Sequence, residues 1–369
     1  MANWYCTLDD VRELLEREGD GRDAAIGMAI AAVSRDVDSL IGVRAGAFIP
    51  ETAARSYRWP QNRASLHRDL STLFLDEWLI SLSALTSENQ GNTIDFASDA
   101  FLEPGNYGPP YTKIEIDQAA TAATARFGAA TTPQRAILAT GSWGLELNTI
   151  GAGNLNGAIA DAVATSVAVT DGSKVAVGHT VLIDSEQMFV SAIDFVDIGQ
   201  NGSGTMTAAK SDQTVTLGGA PTDAVVIGEI LRRDSEQMRV TGITSATIFT
   251  VERAVNGSTL AAHSDADDVF VRRTLTVERG VNGTTAAAQS DDAAITRFVI
   301  PAQVREYVAS VAASQEIRGG QGNTGGNQPF NTISNQPKAS SVSLAAMRNA
   351  LLQNPRFAPP PGAMFGLAG

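Results

Sequence analysis

The chain is poor in the residues that most often do chemistry. It has one cysteine, Cys6, and three histidines, His67, His179 and His263, in 369 residues. A single cysteine excludes an intramolecular disulfide. Beside Trp4 and Tyr5, Cys6 reads as a packing residue and not as a nucleophile. The histidines stand far apart in unrelated contexts, and none has a partner at metal-ligand spacing. Cations are scarce as well: 27 Lys and Arg against 40 Asp and Glu give a net charge of -13. That balance excludes a DNA-coating surface, because gripping phosphates needs clustered positive charge. No apolar run reaches the ~18 residues of a membrane helix. The first residues, Met1-Ala2-Asn3-Trp4, lack the basic-then-apolar order of a signal peptide. A Gly-x-Ser-x-Gly elbow, a Walker loop and a dinucleotide fingerprint are missing too. Gly151-x-Gly153 opens no convincing helix. No catalytic, cofactor-binding or metal-ligating residue is expected.

What the chain does have is repetition. Asp184-Ser185-Glu186-Gln187-Met188 returns unchanged as Asp234-Ser235-Glu236-Gln237-Met238. Val251-Glu252-Arg253-Ala254-Val255-Asn256-Gly257-Ser258 returns as Val277-Glu278-Arg279-Gly280-Val281-Asn282-Gly283-Thr284, with a fainter copy at Val196-Asp197 and Asn201-Gly202-Ser203. Repeated phrases mark copied structural units. The Asn-Gly pairs at 201, 256 and 282 predict tight turns, since both residues tolerate positive φ. They also match a glycosylation acceptor pattern, but the turn reading is preferred. Asp184/Glu186 and Asp234/Glu236 offer paired carboxylates. General acid–base work would need a cleft, and calcium would need more oxygen ligands. They read as polar β-turns on a solvated edge. Two layouts fit the copies: units in tandem, or the second inserted within the first. The faint copy at 196–212 leans towards tandem.

Around the repeats the signals change. Thr7 is a helix N-cap with Asp9 and Asp10 behind it. Ile26, Ile30, Val33, Val37, Leu40 and Ile41 make an apolar stripe that Gly42 stops. Residues 66–85 read as two strands broken at Asp76-Glu77, or alternatively as a helix. Further strands are expected at 93–96, 113–116 and 134–143. Residues 145–162 look like a linker. From Pro301, a residue suited to a first helical turn, Val304, Tyr307, Val308, Val311 and Ala312 form a second stripe ended by Gly319-Gly320. Residues 319–338 predict a flexible tether. A short helix follows from Ser343 to Leu352. The Pro-rich end carries the apolar anchors Phe357, Met364 and Phe365.

The two ends together resemble a known family. TLDDVRELLEREGDGRDAAIGMAIAAVSRDVDSLIG is followed by LFLDEWLISLSALTSENQGNTID and FLEPGNYGPPYTKIEI. Then come RAILATGSWG and the proline-led IPAQVREYVASVAASQEIRG. This order resembles the head–tail adaptor (connector) proteins of tailed bacteriophages, with Gly141, Trp143, Gly144, Pro301 and Tyr307 as its punctuation. The resemblance implies an α+β fold: a small helical adaptor core with short strands (1–144 and 297–318) and a linker (145–162). An inserted all-β domain of duplicated units would follow (163–296, with units near 163–213, 214–271 and 274–296). A tether (319–338) and an extended C-terminal docking tail (339–369) would close the chain. It implies a virion neck protein assembled in the host cytoplasm, with no enzyme activity and no membrane contact. The implied partners are copies of itself in a dodecameric ring, the portal protein, and the next neck or tail protein (stopper, tail terminator or tail tube). Viral DNA would pass through the lumen without sequence-specific binding. Phe357, Met364 and Phe365 would dock the tail on a partner. The alternatives are another tail or baseplate β-module protein, or a carbohydrate-acting enzyme using Glu186 and Glu236.

Overall fold

A computed structural model describes residues 3–15, 21–58, 71–89, 92–95, 97, 99–117, 119, 127, 132, 134–321 and 344–354. Two helices come first, α1 (Leu8–Leu15) and α2 (Asp23–Ile41). Six strands follow: β1 (Glu51–Tyr57), β2 (Thr72–Asn89), β3 (Asn92–Asp95), β4 (Ala100–Glu103), β5 (Tyr111–Ile116) and β6 (Ile137–Trp143). The next strands are β7 (Thr149–Asn154), β8 (Ser166–Ala168), β9 (Thr180–Ile183), β10 (Glu186–Asn201) and β11 (Thr214–Thr216). After them come β12 (Ile230–Arg233), β13 (Glu236–Ser245), β14 (Ile248–Glu252), β15 (Asp268–Glu278) and β16 (Ala294–Phe298). Helices α3 (Ala302–Gln321) and α4 (Leu344–Gln353) close the described chain.

The expected fold class is wrong. The described chain is mostly β, in a six-stranded and a ten-stranded sheet, both antiparallel, and is not a small helical core carrying an inserted β domain. The chain divides into two compact units. One holds residues 1–34, 149–281 and 285–347, and the other 35–148, 282–284 and 348–369. Helices α1 and α3 thus belong with the ten-stranded sheet and not with the strands of 51–143. The reason is a matter of area: short amphipathic helices have too little apolar surface to make a core and must borrow one. Helix α1 does so at its entrance, where Leu8 N–H donates to the Val177 carbonyl at 3.2 Å. Trp4 meets Phe189 edge-on, with ring centroids 5.4 Å apart. Phe189 is 5 % exposed. The cap of α1 is as read: Asp10 N–H donates to Thr7 Oγ1 at 3.1 Å, and Thr7 N–H to Asp10 Oδ2 at 2.9 Å.

The six-stranded sheet runs β1-β6-β2-β5-β4, with β3 added to β2. β2 is one strand through Asp76-Glu77, where two were expected. Its pairing with β5 shifts register between Phe74 and Leu79, so the acidic pair marks an irregularity and not an end. β6 lies between β1 and β2, and its alternation points Ile137, Ala139, Gly141 and Trp143 into the core. Gly141 is obligatory there: a Cβ would lie 2.1 Å from the Ser81 carbonyl oxygen. Trp143 is fully buried, and its Nε1 donates to the Ala53 carbonyl at 2.9 Å.

The ten-stranded sheet runs β11-β14-β13-β12-β15-β10-β9-β16-β7, with β8 on β15. This strand order nests one unit inside the other. β8, the second half of β15, β10, β9 and β16 form the outer unit, around a core that includes Val167, Met188, Val190 and Leu275. β11, β14, β13, β12 and the first half of β15 form the inner unit, around the matching Val215, Met238, Val240 and Phe249. β10 and β15 are the long strands that leave the outer unit and return to it, paired from Phe189–Glu278 to Asn201–Asp268. β15 alternates throughout, burying Val269, Val271, Arg273, Leu275 and Val277. Residues 145–162 are not a linker: β7 lies within them and pairs with β16. Gly151 and Gly153 belong to this strand. Helix α3 runs through Gly319-Gly320 to Gln321. The rest of the tether, and Phe357, Met364 and Phe365, lie outside the described residues, as does His67.

Candidate functional site

Each Asp-Ser-Glu-Gln-Met phrase is a hairpin. Ile183 pairs with Glu186 and Arg233 with Glu236, so Asp-Ser is a two-residue loop. Asp184 and Asp234 sit in the left-handed region, at φ 51° and 53°, which Asp tolerates. The aspartates stay outside, and the next strand residue, glutamate, turns in. Glu186 and Glu236 are both 0 % exposed, so the reading of a solvated edge is wrong for them.

The glutamates are held by the second repeated phrase. Arg253 Nε and Nη2 each donate to Glu236 at 2.7 Å. Arg279 Nε and Nη2 donate to Glu186 at 2.7 and 2.8 Å. Backbone N–H groups complete both cages: Ala254 and Ala261 at 3.0 Å on Glu236, Gly280 and Ala287 at 3.0 and 3.1 Å on Glu186. The arginines also clamp loop carbonyls, Arg253 those of Thr207, Asp212 and Ala261. The same two phrases are therefore the two halves of one buried ion pair, made once per unit. Val255 N–H donates to the Gln237 carbonyl and Val281 N–H to that of Gln187, both at 3.0 Å, so the frame is copied with the pair.

The sequence carried a signal for this pairing. Both full Val-Glu-Arg phrases have the arginine, whereas Ile198 stands in its place in the faint copy. That stretch is no third unit. Asn201 ends β10 instead of turning, while Asn256 and Asn282 do adopt positive φ, 53° and 55°. Gly202 serves another purpose: a Cβ there would lie 2.4 Å from the buried Arg233 guanidinium carbon.

Tertiary contact also gives His263 partners that no spacing showed. Its Nε2 lies 2.9 Å from Glu236 Oε2 and its Nδ1 2.9 Å from Asp234 Oδ2. In the outer unit Gln289 Nε2 donates to Glu186 at 3.2 Å, the same role. Asp234, His263 and Asp267 bring one ligand atom each within 4.8 Å of one another, the spacing of a metal site. A cation is already there, however: Arg233 Nε is 3.6 Å from Asp267 Oδ2. Placing a metal ion beside a guanidinium is electrostatically unfavourable. The cluster reads as part of the ion-pair frame.

Burial acts to raise the Glu236 carboxyl. The hydrogen bonds of Arg253, the Ala261 amide and His263 outweigh it and take the group down from 4.5 to about 2. Glu186 is lowered in the same way, burial being outweighed by Arg279, the Ala287 amide and Gln289. A carboxylate lowered in the folded state adds stability above its unfolded value and loses it as pH falls. Urea midpoints should therefore be flat above pH 4.5 and fall steeply between there and about pH 2. Glu236→Gln should flatten that acid limb. An unchanged limb would show that the carboxylates do not carry it.

Of the adaptor-like residues, Gly141, Trp143 and Gly144 come together at the end of β6. A Cβ on Gly144 would meet the Ala47 carbonyl oxygen at 3.0 Å. Pro301 opens α3, its carbonyl accepting from Val304 and Arg305 N–H at 2.9 and 3.0 Å. Tyr307 is half-buried on that helix. Cys6 is 4 % exposed, and burial, then Asp10, raises its thiol, which leaves it protonated and inert. Comparison of the chain with protein-family models, with characterised proteins and with solved structures finds no match.

Proposed function

We propose that this chain is a structural virion protein, a head–tail adaptor that forms a ring beneath the portal. Its partners would be further copies of itself, the portal and the next neck or tail protein, with the genome passing through the lumen. The observation that supports this most is an aromatic surface with no evident internal use. On the six-stranded sheet, Phe74 pairs with Lys113 and Phe101 with Glu115, which places both rings on the face opposite the buried Leu73 and Ile114 and the partly buried Leu102. They are 58 % and 54 % exposed, and Tyr107, in the loop between β4 and β5, is 87 % exposed. Exposed aromatic clusters mark association surfaces. The order of elements at the two chain ends supports the adaptor reading over other assemblies. The repeated glutamates, the only paired carboxylates that suggested hydrolysis, are closed to solvent and saturated with hydrogen bonds, so they favour a scaffold and not an enzyme.

Light scattering and electron microscopy of the full chain, alone and with portal, test this. A ring that seats on the portal is expected. Phe74→Glu with Phe101→Glu should weaken ring assembly by about tenfold or more while the circular dichroism spectrum is kept, an effect in line with the loss of interface anchors. A monodisperse monomer, or a neck map without this chain, overturns the proposal.

A further inference from the structure

The inner and outer units differ chemically at a place where their backbones agree. Gly228 N–H donates to the Val240 carbonyl at 2.8 Å, and Gly178 N–H to that of Val190 at 2.9 Å. The next residue is Glu229 in the inner unit and His179 in the outer one. Glu229 accepts the Val226 N–H at 3.0 Å, the Gly172 N–H at 3.0 Å, and both Nε and Nη2 of Arg273, at 2.5 and 2.8 Å. His179 takes only the first of these roles: its Nδ1 accepts the Ala176 N–H at 3.0 Å.

A neutral imidazole has one lone-pair nitrogen. The Ala176 amide uses it, so Nε2 carries the hydrogen. Arg297 Nη1 lies 3.4 Å from that Nε2, which sets two donors against each other with no acceptor between them. Arg297 Nε is buried and has no hydrogen-bond partner among the described residues. Arg305, exposed on the first turn of α3, adds a second positive charge beside Arg297. Burial, then the charges of Arg297 and Arg305, hold His179 down at about 3, so the ring is neutral. Burial and Arg305 also lower Arg297, with Asp10 opposing. Asp10 is itself engaged by the Thr7 N–H. Among the described residues no carboxylate forms an ion pair with Arg297 or Arg305.

We propose that His179 Nε2, Arg297 and Arg305 bind an oxyanion, a carboxylate or a phosphate group, supplied from outside the chain. The inner unit shows what the frame accepts here: a carboxylate held by a two-pronged guanidinium. The outer unit repeats only the amide donor, sets Arg297 against the histidine, and has no acid at the place of Glu229. A donor set against a donor, beside a buried and unmet Arg297 Nε, is costly, and a charged acceptor relieves it most strongly. This inference does not depend on the adaptor reading.

The test is calorimetric titration and thermal melting of the full chain at constant ionic strength. Sodium phosphate and sodium acetate are the separate probes, and chloride is the control. At least one probe should raise the melting temperature saturably, as mass action requires. Arg297→Gln should weaken that binding by about tenfold or more, the scale of one charged hydrogen-bond pair. His179→Glu installs the inner unit's carboxylate, so it should raise the melting temperature by itself and abolish the response to anion. It serves as the test should Arg297→Gln fold poorly. The two probes separate a phosphate ligand from a carboxylate one. If neither exceeds chloride, or if His179→Glu responds like wild type, the site does not exist.

Discussion

Arg253→Ala is expected to lower the unfolding free energy by about 3–5 kcal/mol, the typical cost of breaking a buried ion pair by removing one partner. Arg253 and Glu236 are both wholly buried. Removing the guanidinium leaves the Glu236 carboxylate with only N–H donors and His263, and leaves the carbonyls of Thr207, Asp212 and Ala261 without their donor. The inner unit has no other cation at this place. Replacing the pair together with apolar residues should cost much less, because no charge is then stranded. The control is Arg239→Ala. Its pair with Glu252 is half-exposed at 3.5 Å, and exposed pairs contribute about 0–1 kcal/mol. Denaturant titration, with hydrogen exchange at the Met238 and Val240 amides, reads the effect in the unit concerned. A loss for Arg253→Ala no greater than for Arg239→Ala would show that the repeated phrases are ornamental.

The second large effect lies in the other sheet. Trp143→Ala should destabilise the unit around the six-stranded sheet by about 3–5 kcal/mol, as large-to-small changes of buried aromatics do. The side chain is 0 % exposed, packs with Tyr57 at a centroid distance of 6.3 Å and donates from Nε1 to Ala53. Trp143→Phe keeps most of the apolar contact and loses that hydrogen bond. It should therefore cost distinctly less, about 1–3 kcal/mol for the smaller ring and an unmet carbonyl. If both variants melt like wild type, Trp143 does not anchor this core. Gly141→Ala makes an independent check on the same strand. Its Cβ cannot coexist with the Ser81 carbonyl, so β2 and β6 must part.

Local features were legible where a residue carries its own conformational reason. The α1 cap needs only Thr7 and its neighbours. The Asn-Gly turns at 256 and 282 follow from residues that accept positive φ. The failures are of another kind. Residues 145–162 looked like a linker because β7 is an edge strand rich in Gly and Asn, and its status comes from β16 across from it. The helical stripes of α2 and α3 showed that each had an apolar face and left open what covers it. The carboxylates looked solvated because a glutamate in a turn is ordinarily outside, and its arginine lies far along the chain.

By itself the sequence determined that a unit was copied, where its turns fall, and which residues mark the strand at Gly141–Gly144 and the start of the last long helix. Those are properties of short segments, decided by steric preference and by local alternation. The tertiary structure alone decided that one copy sits inside the other, that Glu186 and Glu236 are buried, and that His179 faces arginines where its counterpart Glu229 meets one as a partner. The nesting rests on two antiparallel strands, β10 and β15, which pair from Phe189–Glu278 to Asn201–Asp268. A contact between residues so far apart in the chain is selected by the free energy of the complete core and leaves no local trace.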